Sequence, residues 1–130
     1  MLGSSELVAF VATTDLDRAR AFYGGVLGLA VVEESPFACV FDAHGTRLRV
    51  TPVAEIVTAP YTVLGWAVAD IAATVRALGG AGARFERFAG MVQDDLGVWT
   101  TPGGAKVAWF TDPDGNVLSL TQDAGSEGSA

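Results

Sequence analysis

The chain has 130 residues, half of them hydrophobic, which is enough for one domain with a real core and too apolar for a disordered chain. Fifteen acidic residues against eight basic ones give a formal net charge of −7, which argues against a nucleic-acid partner held by a basic patch. The apolar runs are short and broken, so no membrane span is expected. No basic-then-apolar leader is visible, so a cytoplasmic location is the default.

Residues 1–5 read as a frayed end. The run Leu7, Val8, Ala9, Phe10, Val11, Ala12 predicts a strand covered on both faces. Asp15 offers a helix cap, and Leu16, Ala19 and Tyr23 share one face of a predicted helix over 16–23. Gly24 and Gly25 are the expected terminator. Residues 29–33 form the next strand candidate. A hairpin follows, with strands over 37–41 and 47–51 and a turn at Asp42, Ala43, His44, Gly45 and Thr46. Cys39, the single cysteine, permits no disulfide. Its apolar run predicts a buried, inert thiol rather than a nucleophile.

After a linker over 53–60 the order begins again. Residues 61–68 predict a strand, Asp70 caps a helix through Leu78, and Gly79 and Gly80 end it. Residues 84–88 are another strand candidate. Strands over 106–110 and 117–121 flank the turn Asp112, Pro113, Asp114, Gly115 and Asn116. Proline presets φ there, the Asp and Asn side chains bond their own backbone, and glycine supplies a positive φ. The offset between the copies is 55 residues at the helix caps (Asp15, Asp70) and 70 at the hairpins (Asp42, Asp112). The second copy therefore carries about 15 extra residues, expected within 89–104. Such an insertion is a lid or partner-binding loop, or a solvated excursion with one strand in it. Residues 123–130 read as a disordered tail.

Two tandem βαβββ modules, 6–52 and 61–122, resemble the vicinal oxygen chelate superfamily of glyoxalases, bleomycin-resistance proteins and extradiol dioxygenases. The resemblance is carried by Thr14, Asp15, Leu16, Asp17, Arg18, Ala19, Arg20, Ala21, Phe22 and Tyr23, then by Leu27, Gly28 and Leu29. Val68, Ala69, Asp70 and Ile71 continue it, and the turn from Asp112 to Asn116 completes it. It implies one α+β domain over 6–122, a cup-shaped mixed sheet with helices outside and a ligand in the cup. It also allows a homodimer.

Enzymes of that superfamily hold a divalent ion at four floor positions, and the resemblance assigns these to Val8, Arg49, Val63 and Ser119. Valine has no lone pair, arginine has no acceptor and stays protonated, and one serine cannot hold a metal. The expectation is therefore no metal and no cofactor. Strand alternation predicts a lining that includes Val8, Phe10, Arg49, Val63 and Ser119. Arg49 either anchors an anionic or carbonyl-bearing ligand or pairs with an acid such as Asp94 or Glu86. Trp99 and Trp109 either stack a flat ligand or belong to the core. His44, at a hairpin tip, reads as a turn residue rather than a catalytic one. The implied function is metal-independent binding of a small organic compound, apolar or anionic, sequestered as bleomycin-resistance proteins do. The alternatives are a glyoxalase-like lyase, isomerase or dioxygenase using atypical ligands, and a scaffold with a filled cup. A metal-free enzyme would need a base from Glu33, Asp94 or Asp95.

Overall fold

Two aspartates start the two helices. Asp15 and Asp70 have extended backbone, and their carboxylates accept hydrogen bonds from the amides of Arg18 and Ala73, both at 3.1 Å. Each satisfies an N–H that the first helical turn leaves without an intrahelical partner. The computed structural model describes residues 1–125. The first half contains β1 (Val8–Thr13), α1 (Leu16–Arg20), β2 (Ala30–Ser35), β3 (Ala38–Ala43) and β4 (Thr46–Pro52). The second contains β5 (Leu64–Ala67), α2 (Ile71–Gly80), β6 (Arg84–Phe85), β7 (Trp99–Thr100), β8 (Lys106–Thr111) and β9 (Val117–Gln122). A short 3-10 turn, Leu2–Ser4, stands where the sequence reads as a frayed end. Of the expected tail, Asp123, Ala124 and Gly125 are exposed, and 126–130 lie outside the described residues. No described helix is long and apolar enough to cross a membrane.

The chain divides into two units, Met1–Thr58 and a second beginning at Ala59. Both are α+β, and both follow the expected strand and helix order, the second with β7 added. The sheet of unit one runs β1-β4-β3-β2. That of unit two runs β5-β9-β8-β6, with β7 also paired to β8. In each, the first strand lies parallel to the last and all other pairs are antiparallel.

Each helix covers one sheet face. In unit one Tyr23 and Phe41 are fully buried, 6.0 Å apart between ring centres, with Val11, Ala19, Leu48 and Val50 around them. In unit two Phe110 lies 5.2 Å from Phe85 and 6.4 Å from Trp66, above Ile71, Leu118 and Leu120. The buried Gln122 carboxamide oxygen accepts the Ile71 amide at 2.8 Å, tying the end of β9 to the start of α2. The other face of each sheet has no helix. For β1 this corrects the expectation of a strand covered on both sides. Val11 and Thr13 are buried, but Val8 is 41% exposed and Phe10 61%, because the alternate side chains point to the helix-free face.

Three further expectations change. The predicted 61–68 strand shortens to Leu64–Ala67, whose only partner among the described residues is β9. The predicted 84–88 strand shortens to Arg84–Phe85, because the chain beyond Glu86 turns into a loop stitched by Gln93. Gly24 and Gly25 do not end the first helix. They lie inside a π-helical segment, Ala21–Val26, that continues α1. The chain reverses instead at Gly28 and Gly82, whose φ values of 77° and 110° suit glycine.

The π segment accounts for a length difference. Gly28 lies thirteen positions after Asp15, and Gly82 twelve positions after Asp70. A π turn absorbs one extra residue without displacing either flank. A second extra residue, Val32, forms a bulge in β2, where Val31 pairs with Phe41 and Glu33 with Val40. The offset between the copies thus falls from 55 at the helix caps to 53 at Glu33 and Glu86, a correspondence that the ladders below establish.

Deleting Gly25, whose Cβ position meets no atom within 4 Å, should convert the π segment to regular α-helix. The expected cost is no more than about 1 kcal/mol, the size of a single helix-propensity effect, read by denaturant unfolding. A loss of register, seen as molten behaviour, would refute the assignment. Cys39 is buried, and burial first and the Glu34 carboxylate second push its thiol pKa up, with Arg20 opposing. Iodoacetamide should therefore alkylate the folded chain at least about tenfold more slowly than the unfolded one. Because folding raises this pKa, the thiol's contribution to stability is complete below the unfolded value of about 8.5. It then declines as pH rises toward the folded value, which unfolding curves on Cys39→Ser and the parent chain would resolve.

Candidate functional site

The hairpin of β8 and β9 is set by the turn between them. The buried Asp112 carboxylate accepts the amides of Asp114 and Asn116, each at 2.9 Å, through Oδ1. Its Oδ2 accepts the Asn116 side-chain amide at 2.8 Å. The five turn residues lie between the paired Thr111 and Val117. The corresponding turn in unit one is shorter. Ala43 pairs with Thr46 and only His44 and Gly45 lie between, with the Asp42 carboxylate accepting the Gly45 amide at 3.0 Å. Asp42 itself pairs with Arg47, as Thr111 does with Val117, so Asp112 stands one position beyond the counterpart of Asp42. His44 is exposed at the hairpin tip with φ 51°.

These registers build matching rows on the two helix-free faces. In unit one the row is Phe10, Arg49, Val40, Glu33. In unit two Gly65 pairs with Ser119 and Ser119 with Trp109. The Glu86 amide then donates to the Trp109 carbonyl at 2.8 Å, which continues the β6–β8 ladder by one residue. The second row is therefore Gly65, Ser119, Trp109, Glu86. Its first place has no side chain for a spatial reason. A Cβ on Gly65 would sit 2.8 Å from the Ser119 Oγ and 3.3 Å from its carbonyl oxygen.

The sequence-predicted residues distribute as follows. Val8 stands beside Arg47 and Phe10 beside Arg49, so Val8 and Arg49 are one row apart. The Val63 amide donates to the Val117 carbonyl at 2.9 Å, so Val63 and Ser119 are also one row apart. Arg49 is half-buried, and within its own unit it has no hydrogen bond or ion pair. Trp109 is half-buried and walls a cleft of about 570 Å³ in unit two. Trp99 stands behind it, 6.2 Å away at an interplanar angle of 31°, and Phe88 meets its edge at 5.4 Å.

The cleft also uses residues that the sequence reading did not assign to a site: Tyr61, Thr62, Glu86, Met91 and Thr111. Alternation from the core residue Phe85 would have pointed Glu86 to this face. The 89–104 insertion carries the short strand β7 and is pinned internally. Asp94 Oδ1 accepts the amides of Leu96 and Val98 at 2.9 Å. The Gln93 amide nitrogen donates to the carbonyls of Glu86 and Gly97, and its oxygen accepts the Phe88 amide. A second cleft, about 340 Å³, lies on the helix side of unit one, where Arg20 and Glu34 form an ion pair.

A divalent ion needs several lone pairs that converge. The positions that the resemblance assigns to the ion offer valine, arginine, valine and serine, and they stand in two rows of each sheet rather than one. Among the described residues, no three His, Cys, Asp or Glu side chains are grouped to hold a metal. The residues present do not fit the ion that the fold's enzymes hold.

The family model for the Glyoxalase/Bleomycin resistance protein/Dioxygenase superfamily matches residues 7–120. Among solved structures, lactoylglutathione lyase from Agrobacterium tumefaciens is 18% identical, with a TM-score of 0.70 over 92% of this chain and 93% of that one. TioX from Micromonospora sp. ML1 is 20% identical, with a TM-score of 0.70 over 92% and 98%. A superfamily member from Sphaerobacter thermophilus is 19% identical, with a TM-score of 0.72 over 95% and 100%. At such identities the likeness is one of fold. No curated protein matches the chain. The chain belongs to the glyoxalase/bleomycin resistance protein/dioxygenase superfamily.

Proposed function

We propose that this superfamily member is a metal-independent binding protein that sequesters a small organic compound. One observation carries the reading: among the described residues no three His, Cys, Asp or Glu side chains are grouped to hold an ion, and Val8, Arg49, Val63 and Ser119, which the resemblance assigns to the ion, lack the donors for one. Lyase, isomerase and dioxygenase chemistry built on that ion has no first coordination sphere here. The half-buried Trp109 and the cleft beside it support the binding role, since small-molecule sites are concave and mostly apolar with a few polar anchors. In unit one, Phe10 is paired with Arg49 across β1 and β4, and a guanidinium's fork of donors suits a carboxylate or phosphate.

Purified chain should retain far less than one equivalent of zinc, iron or manganese after dialysis. Stoichiometric, dialysis-resistant metal would overturn the reading and favour an enzyme with atypical ligands. In a melting-shift screen of flat aromatic compounds, a ligand at a hundredfold its Kd should stabilise the chain by about 2.7 kcal/mol. Arg49→Ala should lower the shift for carboxylate-bearing compounds and leave neutral ones unchanged. No shift with any member of the screen would favour a scaffold.

A further inference from the structure

We propose that the cleft of unit two selects flat organic cations, protonated amines conjugated to an aromatic ring system, with Glu86 as the counter-charge. This rests on the small-molecule-binding reading above and adds the charge of the ligand. Phe85 packs on Phe110 at 5.2 Å on the core side, and the Glu86 amide donates to the Trp109 carbonyl at 2.8 Å. Strand alternation therefore turns the Glu86 side chain to the same face as the Trp109 indole.

Glu86 is half-buried, and among the described residues its carboxylate has no hydrogen bond or ion pair. The nearby Asp94 differs, because its carboxylate is already used by two loop amides. The cleft is walled by Tyr61, Phe88, Met91 and Trp109, and no lysine or arginine lines it. Arg84 lies one row away and is exposed, and Arg87 donates to the Asp94 carbonyl at 2.6 Å.

A carboxylate partly withdrawn from water in an aromatic-walled cleft attracts a cation twice. It supplies a direct charge, and each ring face presents negative quadrupole density. An anion of the same shape meets only repulsion there. The preference is opposite to the one that Arg49 supports in unit one, so the charge of the ligand separates the two faces.

Calorimetric titration of the full chain with three flat probes tests this: cationic 9-aminoacridine, neutral acridone and anionic anthracene-9-carboxylate. The cation should bind at least about tenfold more tightly than the neutral compound, the size expected for one charge-assisted contact. Glu86→Gln should erase that margin while leaving acridone affinity within about twofold of the parent. Equal or tighter binding of anthracene-9-carboxylate, or a margin that survives in Glu86→Gln, overturns the cation assignment and leaves the binding function standing. Failure of all three probes to bind overturns the assignment and counts against the binding function as well.

Discussion

The carboxylate of Asp112 is the constraint on which the second half of the molecule depends. One buried side chain satisfies two turn amides and a neighbouring side-chain amide. These bonds fix where β8 ends and β9 begins. The pairing of Trp109 with Ser119 and of Phe110 with Leu118 follows from that register. A slip of one residue would exchange the two sets, putting Trp109 into the core and Phe110 on the helix-free face. The turn thus sets which aromatic ring walls the cleft of unit two and which lies on the side of α2.

The two units apply one architecture to different surfaces. Their rows correspond place for place: Phe10 with Gly65, Arg49 with Ser119, Val40 with Trp109, and Glu33 with Glu86. Only the last place keeps its chemistry. Unit one has an exposed aromatic ring and a guanidinium where unit two has a bare backbone and a hydroxyl. A duplicated fold leaves such positions free to diverge where they face outward, as Phe10 and Gly65 do, while Val40 and Ser119 in the same rows are buried. Neither floor brings together donors for a divalent ion, so the shared fold does not by itself carry the enzymes' chemistry.

Much of the fold was legible in the sequence because its signals are local. Asp15 and Asp70 cap helices where they are read to, and the turn at Asp112 closes as proline, glycine and Asx chemistry dictates. Tyr23 and Ala19 share the buried helix face that their spacing predicts. What the sequence hid depends on pairing. A π turn has no residue signature that separates it from α-helix, so Gly24 and Gly25 read as a terminator. The bulge at Val32 exists only relative to β3. Together these one-residue steps conceal the match of Glu33 with Glu86, which a constant offset misses. Pairing also decides the rows: Val8 stands beside Arg47, one row from Arg49, which no count along one strand can show. Glu86 was legible as a lining residue, since alternation from Phe85 within the predicted 84–88 strand turns it to the cleft face.

The bulge in β2 has a consequence for how the molecule behaves among its copies. Every residue of β2 is exposed, and the strand lies at the end of its sheet with Val31 and Val32 in the open. Unprotected backbone flanked by valines is a template on which another chain can zip up into a fibre. The extra residue breaks the even spacing of donors and acceptors that such growth requires. Glu33, directly after it, sets a negative charge against a second copy of the same strand, while Glu34 is held by Arg20. The irregularity that obscures the duplication also guards the strand against self-assembly.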